Sequence, residues 1–321
     1  MAKGTITIWT HSGVFHADDV FAVAMINIMA ASQGYVTKVS RSRQPVKHAM
    51  FVLDVGGKYE PDNDWFDHHQ KDGVPVRDNG IKYAAAGMVW LKYGLHIVDI
   101  IAHKHPQLDI TLQQKCIIVT DHVSPFIETI DAVDNGQTNL VGITRSHTLS
   151  DIIRSFYPIG ESTQEQDDEA FARAVTFAER HLVWVIESSL HKVLFADTVR
   201  EAIDISIATK SSIMVLDKAG PFLTEIINNF ERCKDIKVVV YPGKTDGVDT
   251  WFVRTMPGSL TDAMKGKCNA PEAWRGVSKE LLPELTGVAT ATFVHATGFL
   301  GATITKEDAL QLAHNWVANA D

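Results

Sequence analysis

The sequence predicts an α/β protein: a largely parallel sheet with helices on both faces, then a smaller second α/β domain joined by a long helical connector. Three observations predict it. Strand-like and helix-like runs alternate through the first half of the chain, the pattern of crossover-connected parallel strands. A polar–apolar stretch from Glu165 to Ser206 contains neither Gly nor Pro. Beyond it short β-rich runs dominate.

In order, Thr5–Thr10 alternates apolar and polar residues and reads as a strand. Asp18–Ala31 places Val20, Ala24, Ile28 and Ala31 at helix spacing, with Asp18 and Asp19 near its N-terminus. Tyr35–Arg41 and Met50–Val55 are short strands, the second running into Gly56-Gly57, and Trp65-Phe66 leads a strand into Asp67-His68-His69. Tyr83–Tyr93, Leu112–Val119 and Ser150–Phe156 read as helices. The acidic run Glu165–Glu169 suits the N-terminus of the connector. Ile213–Leu216, Ile236–Tyr241, Trp251–Met256 and Ala291–Ala296 read as strands, Pro242–Asp249 as a hairpin turn, and Leu281–Leu285 and Asp308–Val317 as helices. These patterns divide the chain into domains 1–204, with the connector over 165–204, and 205–321.

With 321 residues, 45% hydrophobic and 21% charged, the chain has the composition of a soluble globular protein. No apolar run is expected to reach the roughly 18 residues of a membrane helix, and no membrane partner is expected. The start Met-Ala-Lys-Gly-Thr-Ile-Thr-Ile-Trp reads as a strand rather than a targeting segment, so the cytoplasm is the expected location. Cys116, Cys233 and Cys268 lack zinc or redox spacing. A net charge of −9 argues against broad nucleic-acid binding, so a phosphate-bearing substrate needs local positive charge. The oligomeric state stays open, a homo-oligomer included.

Asp67-His68-His69 is the most informative feature, because similar residues recur upstream and downstream. His11, His16 and Asp18 occupy a strand-to-helix loop that Gly13 lets turn sharply. Asp54 ends a buried strand, where a lone carboxylate is costly unless paired or metal-bound. Asp131 and Asp134 lie three apart at a helix end, and spacing alone does not choose between them. In isolation these fit loop histidines, a helix cap and a turn residue. Together, imidazoles and carboxylates at strand exits without cysteine point to a hydrolytic centre for divalent metal. One imidazole of the His68-His69 pair can bind metal while the other contacts substrate or water, and Asp67 can orient an imidazole.

The order of motifs resembles the DHH phosphoesterase superfamily. Thr10-His-Ser-Gly-Val-Phe-His-Ala-Asp-Asp19 is similar to the first motif of its melanocyte-proliferating-gene (Myg) family, with Asp19 in place of the family's Glu. Asp54–Pro61, Phe66–Gln70, Asp131–Gly136, Pro271–Gly276 and Phe293–Gly301 match further family segments. The resemblance implies a DHH-type catalytic domain with His11, His16, Asp18, Asp54 and His68 in the metal shell, completed by Asp131 or Asp134. His69 becomes the substrate or water contact and Asp67 its neighbour, the two catalytic candidates. Two Mn2+ ions are the expected cofactor, with Mg2+ or Zn2+ open. The second domain is expected to bind substrate through a Gly-rich turn holding His295, Gly298 and Gly301, aided by Arg254 and Arg275. Arg41 and Arg43 fall in a family-like segment without an assignable role. The missing leader points to a prokaryotic or viral member.

The function this implies is a metal-dependent phosphodiesterase, a 3′–5′ exonuclease on RNA or short oligonucleotides. A small-molecule phosphatase or pyrophosphatase is the alternative, favoured slightly by the acidic charge. A non-catalytic binding protein that kept the fold ranks last, because every ligand position carries a competent side chain.

Overall fold

A computed structural model describes residues 2–137, 147–260 and 266–320. The chain forms two compact units, Met1–Leu190 and His191–Asp321.

The first unit begins with β1 (Thr5–Thr10), α1 (Ala17–Ser32), β2 (Val36–Arg41), β3 (Phe51–Leu53), β4 (Tyr59–Glu60) and β5 (Trp65–Phe66). Their sheet has the order β2-β1-β3-β5-β4. All neighbours are parallel except β4, an antiparallel edge strand absent from the sequence reading. Burial along β1 rises from exposed Thr5 to Ile8, Trp9 and Thr10, all buried, so the C-terminal half of the strand is covered on both faces. α1 packs against β1, β2 and β3 and is buried nearly all round, from Ala17 to Ala30.

Next come α2 (Ala85–Ala102), α3 (Leu112–Ile117), a π-helical turn over Ile118–Val123, α4 (Ser124–Asp134) and α5 (Leu149–Arg154). α3, the π turn and α4 follow one another without a break, so the helix expected to stop at Val119 continues to Asp134. Pro125 explains the widened turn: it has no N–H to donate and its ring crowds the preceding turn. The hydroxyl of Ser124 donates to the Val119 carbonyl at 2.7 Å, and the Trp90 indole N–H donates to that hydroxyl at 3.1 Å.

α2 corrects one expectation. With 18 residues and a mean hydropathy of 1.3, it is the one helix among the described residues long and apolar enough to cross a membrane. Met88, Val89, Ile97, Val98 and Ile101 are buried in the first unit's core, where α2 packs against α1 and α4.

α6 (Gln164–Ala208) runs 45 residues without interruption. Within the first unit it buries Ala170, Ala174, Ala178, Leu182, Ile186 and Leu190 at four-residue spacing, one stripe of the helix. The division between units falls inside it, at Leu190–His191, and 204/205 lies near its C-terminal end. In the second unit its Val199 and Ile203 join a core with Met214, Ile226 and Val239.

The second unit continues with β6 (Ile213–Val215), α7 (Leu223–Asn228), β7 (Val238–Thr245), β8 (Val248–Thr255), α8 (Leu282–Thr286), β9 (Ala291–Val294), β10 (Leu300–Thr303) and α9 (Lys306–Asn319). The sheet order is β6-β7-β8-β10-β9, with only β6 and β7 parallel. The hairpin turn is tighter than expected. β7 and β8 pair through Pro242↔Trp251 to Thr245↔Val248, leaving only Asp246 and Gly247 in the turn. Both have positive φ, 51° and 80°, the two-residue geometry that Asp-Gly favours. β10 is a second correction. Gly301 belongs to this strand rather than to a loop, paired with Val253 and Val294, and a Cβ on it would meet Trp316 at 3.0 Å.

Candidate metal centre

β1, an interior strand between β2 and β3, delivers His11 from its C-terminal end. The loop turns at Gly13, where φ is +92°. Two side chains fix its backbone. Arg41, its side chain only 2% exposed, donates to the Gly13 carbonyl at 2.5 Å and to Asp168 at 3.0 Å. The Tyr157 hydroxyl donates to the Phe15 carbonyl at 2.7 Å, while its ring stacks on Phe15 at 4.2 Å. His16 then caps α1, its backbone N–H donating to Asp19 at 2.9 Å. The first turn of α1 carries Asp18 and Asp19, both fully buried. Asp19 reaches His11 Nε2 at 3.2 Å, a contact the sequence reading missed. Its signal was there: a second acid three residues after a helix cap.

Asp54 follows β3 in left-handed backbone, φ +54°, held by its N–H donating to the Phe66 carbonyl at 2.9 Å. Its two oxygens face different partners. Oδ2 lies 3.1 Å from His11 Nε2 and Oδ1 lies 3.2 Å from His68 Nε2. β5 delivers Asp67, His68 and His69. Asp67 is buried and accepts from the Gly57 N–H at 2.5 Å and from His69 Nδ1 at 2.7 Å. His69 itself is 62% exposed at the side chain. His68 Nε2 also lies 3.1 Å from Asp134 and 3.8 Å from Asp18, and His16 Nδ1 lies 3.8 Å from Asp134.

Asp131 faces elsewhere. Its carboxylate accepts from the Gly87 N–H on α2 at 3.0 Å and from Arg77 at 2.5 Å. Arg77 is stacked 3.8 Å over Tyr83 and lies 3.6 Å from Glu128. Burial outweighs Arg77 and lifts the Asp131 carboxyl to about 6. Such a pair costs much to break and adds little when made.

The electrostatics of the cluster favour a cation. Burial alone would depress His11 and His68, yet Asp19 and Asp54 lift the first to about 10 and Asp134 and Asp54 lift the second to about 10. Burial works against ionised Asp54, and His11 and His68 overcome it and hold its carboxyl below the usual range. Asp18 is pushed well above its ordinary value by burial and then by Asp54 and Asp134. Carboxylates this close bind positive charge in whatever form it arrives.

The donor set fits a divalent metal. His11 Nε2, both Asp18 oxygens, Asp19 Oδ2, Asp54 Oδ1 and His68 Nε2 are buried without a hydrogen-bonding partner among the described residues. Several stand 3.1–3.2 Å apart but miss hydrogen-bond angles, because they point at shared space rather than at each other. Three groups bring their ligand atoms within 4.8 Å: His11, His16 and Asp54; His16, Asp18 and Asp134; Asp54, His68 and His69. Imidazole with carboxylate suits manganese, iron or zinc. A pocket of about 380 Å3 opens on the cluster, lined in addition by Val133, Asn135, Ser150 and Arg154.

In the second unit, the residues expected to hold substrate gather around the turn 295–299. His295 Nδ1 accepts from the Thr297 N–H at 3.1 Å, which leaves Nε2 as the donor of the neutral ring. Gly298, φ +74°, donates its N–H to the His295 carbonyl at 2.8 Å, and a Cβ on it would meet Arg275 Nε at 2.6 Å. Arg275 Nε donates to the Ala270 carbonyl at 2.7 Å, and the Arg254 guanidinium lies 5.5 Å from the Phe299 ring.

The family model MYG1_exonuc, described as an uncharacterised protein family (UPF0160), matches residues 7–317. A MYG1 protein of Schizosaccharomyces pombe is 31% identical over 96% of both chains. One from Saccharomyces cerevisiae is 31% identical over 97% of this chain and 96% of the relative. The MYG1 exonuclease of Rattus norvegicus is 28% identical over 97% of this chain and 84% of the relative. With its matched segments spanning both units, the chain belongs to the MYG1 family.

Proposed function

We infer that this chain is a metal-dependent phosphodiesterase, acting as a 3′–5′ exonuclease on RNA or short oligonucleotides with two divalent cations, Mn2+ first among them. The observation that carries this reading is Asp54, whose oxygens face separate imidazoles in two donor groups. The exonuclease name of the rat relative supports the reaction class.

His11, His16 and Asp54 would hold one cation, and Asp18, Asp54, His68 and Asp134 the other. Bound there, such cations would neutralise charge on a phosphate and lower the pKa of a bound water. Asp67 acts on His69 rather than on substrate. By accepting from Nδ1 it raises the His69 pKa and turns Nε2 outward, where a protonated ring can hydrogen-bond a phosphate oxygen and pass its proton to the leaving oxygen. Asp131 is a positioning residue, tying α4 to α2 so that Asp134 reaches His68. Arg254, Arg275, His295 and Gly298 form the candidate substrate contacts of the second unit.

The test is a cleavage panel with labelled single-stranded RNA, single-stranded DNA, dinucleotides and pyrophosphate, each with Mn2+, Mg2+, Zn2+ or chelator. Stepwise release of mononucleotides from the 3′ end of RNA, abolished by chelator, is expected. Pyrophosphate cleaved in preference to every diester would favour the small-molecule reading, which the net charge of −9 also supports. Metal bound without turnover of any substrate would refute the enzyme.

A further inference from the structure

Arg154 lines the same pocket as the metal-centre residues, on a helix packed between two others. α5 packs against α1, which carries Asp18, and against α4, which carries Asp134. Its Ile153 is buried, and its start is capped reciprocally: Asp151 N–H donates to Thr148 Oγ1 at 3.2 Å and Thr148 N–H to Asp151 Oδ2 at 2.8 Å. Ser150 and Arg154 are one turn apart and share a face, and both line the pocket.

The charge of Arg154 is unspent. Arg41, Arg77, Arg200 and Arg232 each pair with a carboxylate. Arg154, exposed on α5, has no such partner among the described residues; Arg43, Arg173, Arg180, Arg254 and Arg275 share that freedom, but of these Arg154 alone lines the pocket. Its guanidinium offers a planar fork that matches two phosphate oxygens. The pocket, about 380 Å3, is in the range of roughly 300–1,000 Å3 that holds small-molecule ligands, more than one phosphate needs.

We propose that Arg154, with the Ser150 hydroxyl beside it, binds a second phosphate of the substrate, the one next to the scissile phosphate. This rests on the phosphodiesterase reading and names its specificity: the enzyme selects substrates carrying a neighbouring phosphate over lone diesters. The scissile group is served by the cations and His69, whereas the flanking phosphate needs a cation of its own, and Arg154 is the one the pocket supplies among the described residues.

Two measurements separate this proposal from the reading beneath it. The first is calorimetric binding of a nucleoside 3′,5′-bisphosphate and a nucleoside 5′-monophosphate to the Mn2+-loaded protein. Wild type is expected to favour the bisphosphate by about 10- to 100-fold, the worth of a charged hydrogen-bonded contact. Arg154→Ala and Arg154→Gln should erase most of that ratio, and Arg154→Lys should restore part of it. The second is the ratio of kcat/KM for a 5′-phosphorylated over an unphosphorylated dinucleotide, expected to fall in parallel. A binding ratio unchanged by Arg154→Ala overturns the proposal even if both dinucleotides are cleaved. So does loss of Mn2+ stoichiometry in both Arg154→Ala and Arg154→Gln, which would make Arg154 a support of the centre. Arg154-dependent binding without cleavage of either dinucleotide sustains the Arg154 site and defeats the phosphodiesterase reading.

Discussion

Gly87→Ala should destabilise the protein through a single contact. A Cβ at residue 87 would stand 1.9 Å from Asp131 Oδ2. Carbon and oxygen tolerate about 3.3 Å, so the carboxylate must retreat by about 1.4 Å. That movement breaks its hydrogen bond from the Gly87 N–H, now 3.0 Å, and strains the 2.5 Å contact with Arg77. Asp131 is fully buried, so disrupting its pairing costs about 3–5 kcal/mol, while alanine's helix preference returns about 1 kcal/mol. A net loss of about 2–4 kcal/mol should appear as a lower urea midpoint at unchanged slope. Mn2+ titration should show weakened binding as well, because α4 also carries Asp134. The decisive comparison repeats Gly87→Ala in an Asp131→Ala background, where the methyl has room and the substitution should be neutral or stabilising by up to about 1 kcal/mol. An equal loss in both backgrounds would refute the account.

Asp54→Ala should lose metal and activity together. His69→Ala should keep metal while single-turnover cleavage falls by roughly 10²–10⁴-fold; metal analysis of both proteins distinguishes ligation from proton transfer. Arg41→Met, which removes the clamp on the Gly13 carbonyl, should cost about 1.5–3 kcal/mol in urea unfolding, against about 0.5–1.5 kcal/mol for Tyr157→Phe. Glu179 is raised above its ordinary value by burial, although Asn27 donates to it at 2.6 Å. A raised carboxyl contributes stability below its unfolded pKa and loses it as pH rises through the folded one. Glu179→Gln should therefore match wild type near pH 4 and gain on it towards pH 7.5; a gap that closes with rising pH would contradict this.

Part of the cluster was legible in the sequence because His11, Asp54 and His68 follow β1, β3 and β5, and strands of a parallel sheet deliver their ends to one side; Asp18 and Asp134 come from helices instead. The choice between Asp131 and Asp134 was not. They lie nearly a turn apart on α4, and what separates them is Arg77, distant in sequence, and the bare backbone of Gly87. Arg41 had no readable role because its main partner is a carbonyl, which every residue possesses. Glycine misled twice. Pro242-Gly243 reads as a turn yet lies inside β7, and Gly301 reads as loop yet lies in β10 beneath Trp316. In both places glycine makes room for an aromatic ring, and local sequence does not say whether a glycine bends the chain or admits a neighbour.

The π turn at Ile118–Val123 acts as the phase control of α4. One residue more or fewer in a helix rotates everything downstream by about 100°. The wide turn thus decides, well ahead of either carboxylate, that Asp131 looks into α2 while Asp134 looks at His68. Removing one residue there would leave the composition of the cluster intact on paper and turn both acids away from their partners, so the site is specified partly by a helical irregularity that precedes both carboxylates in the chain.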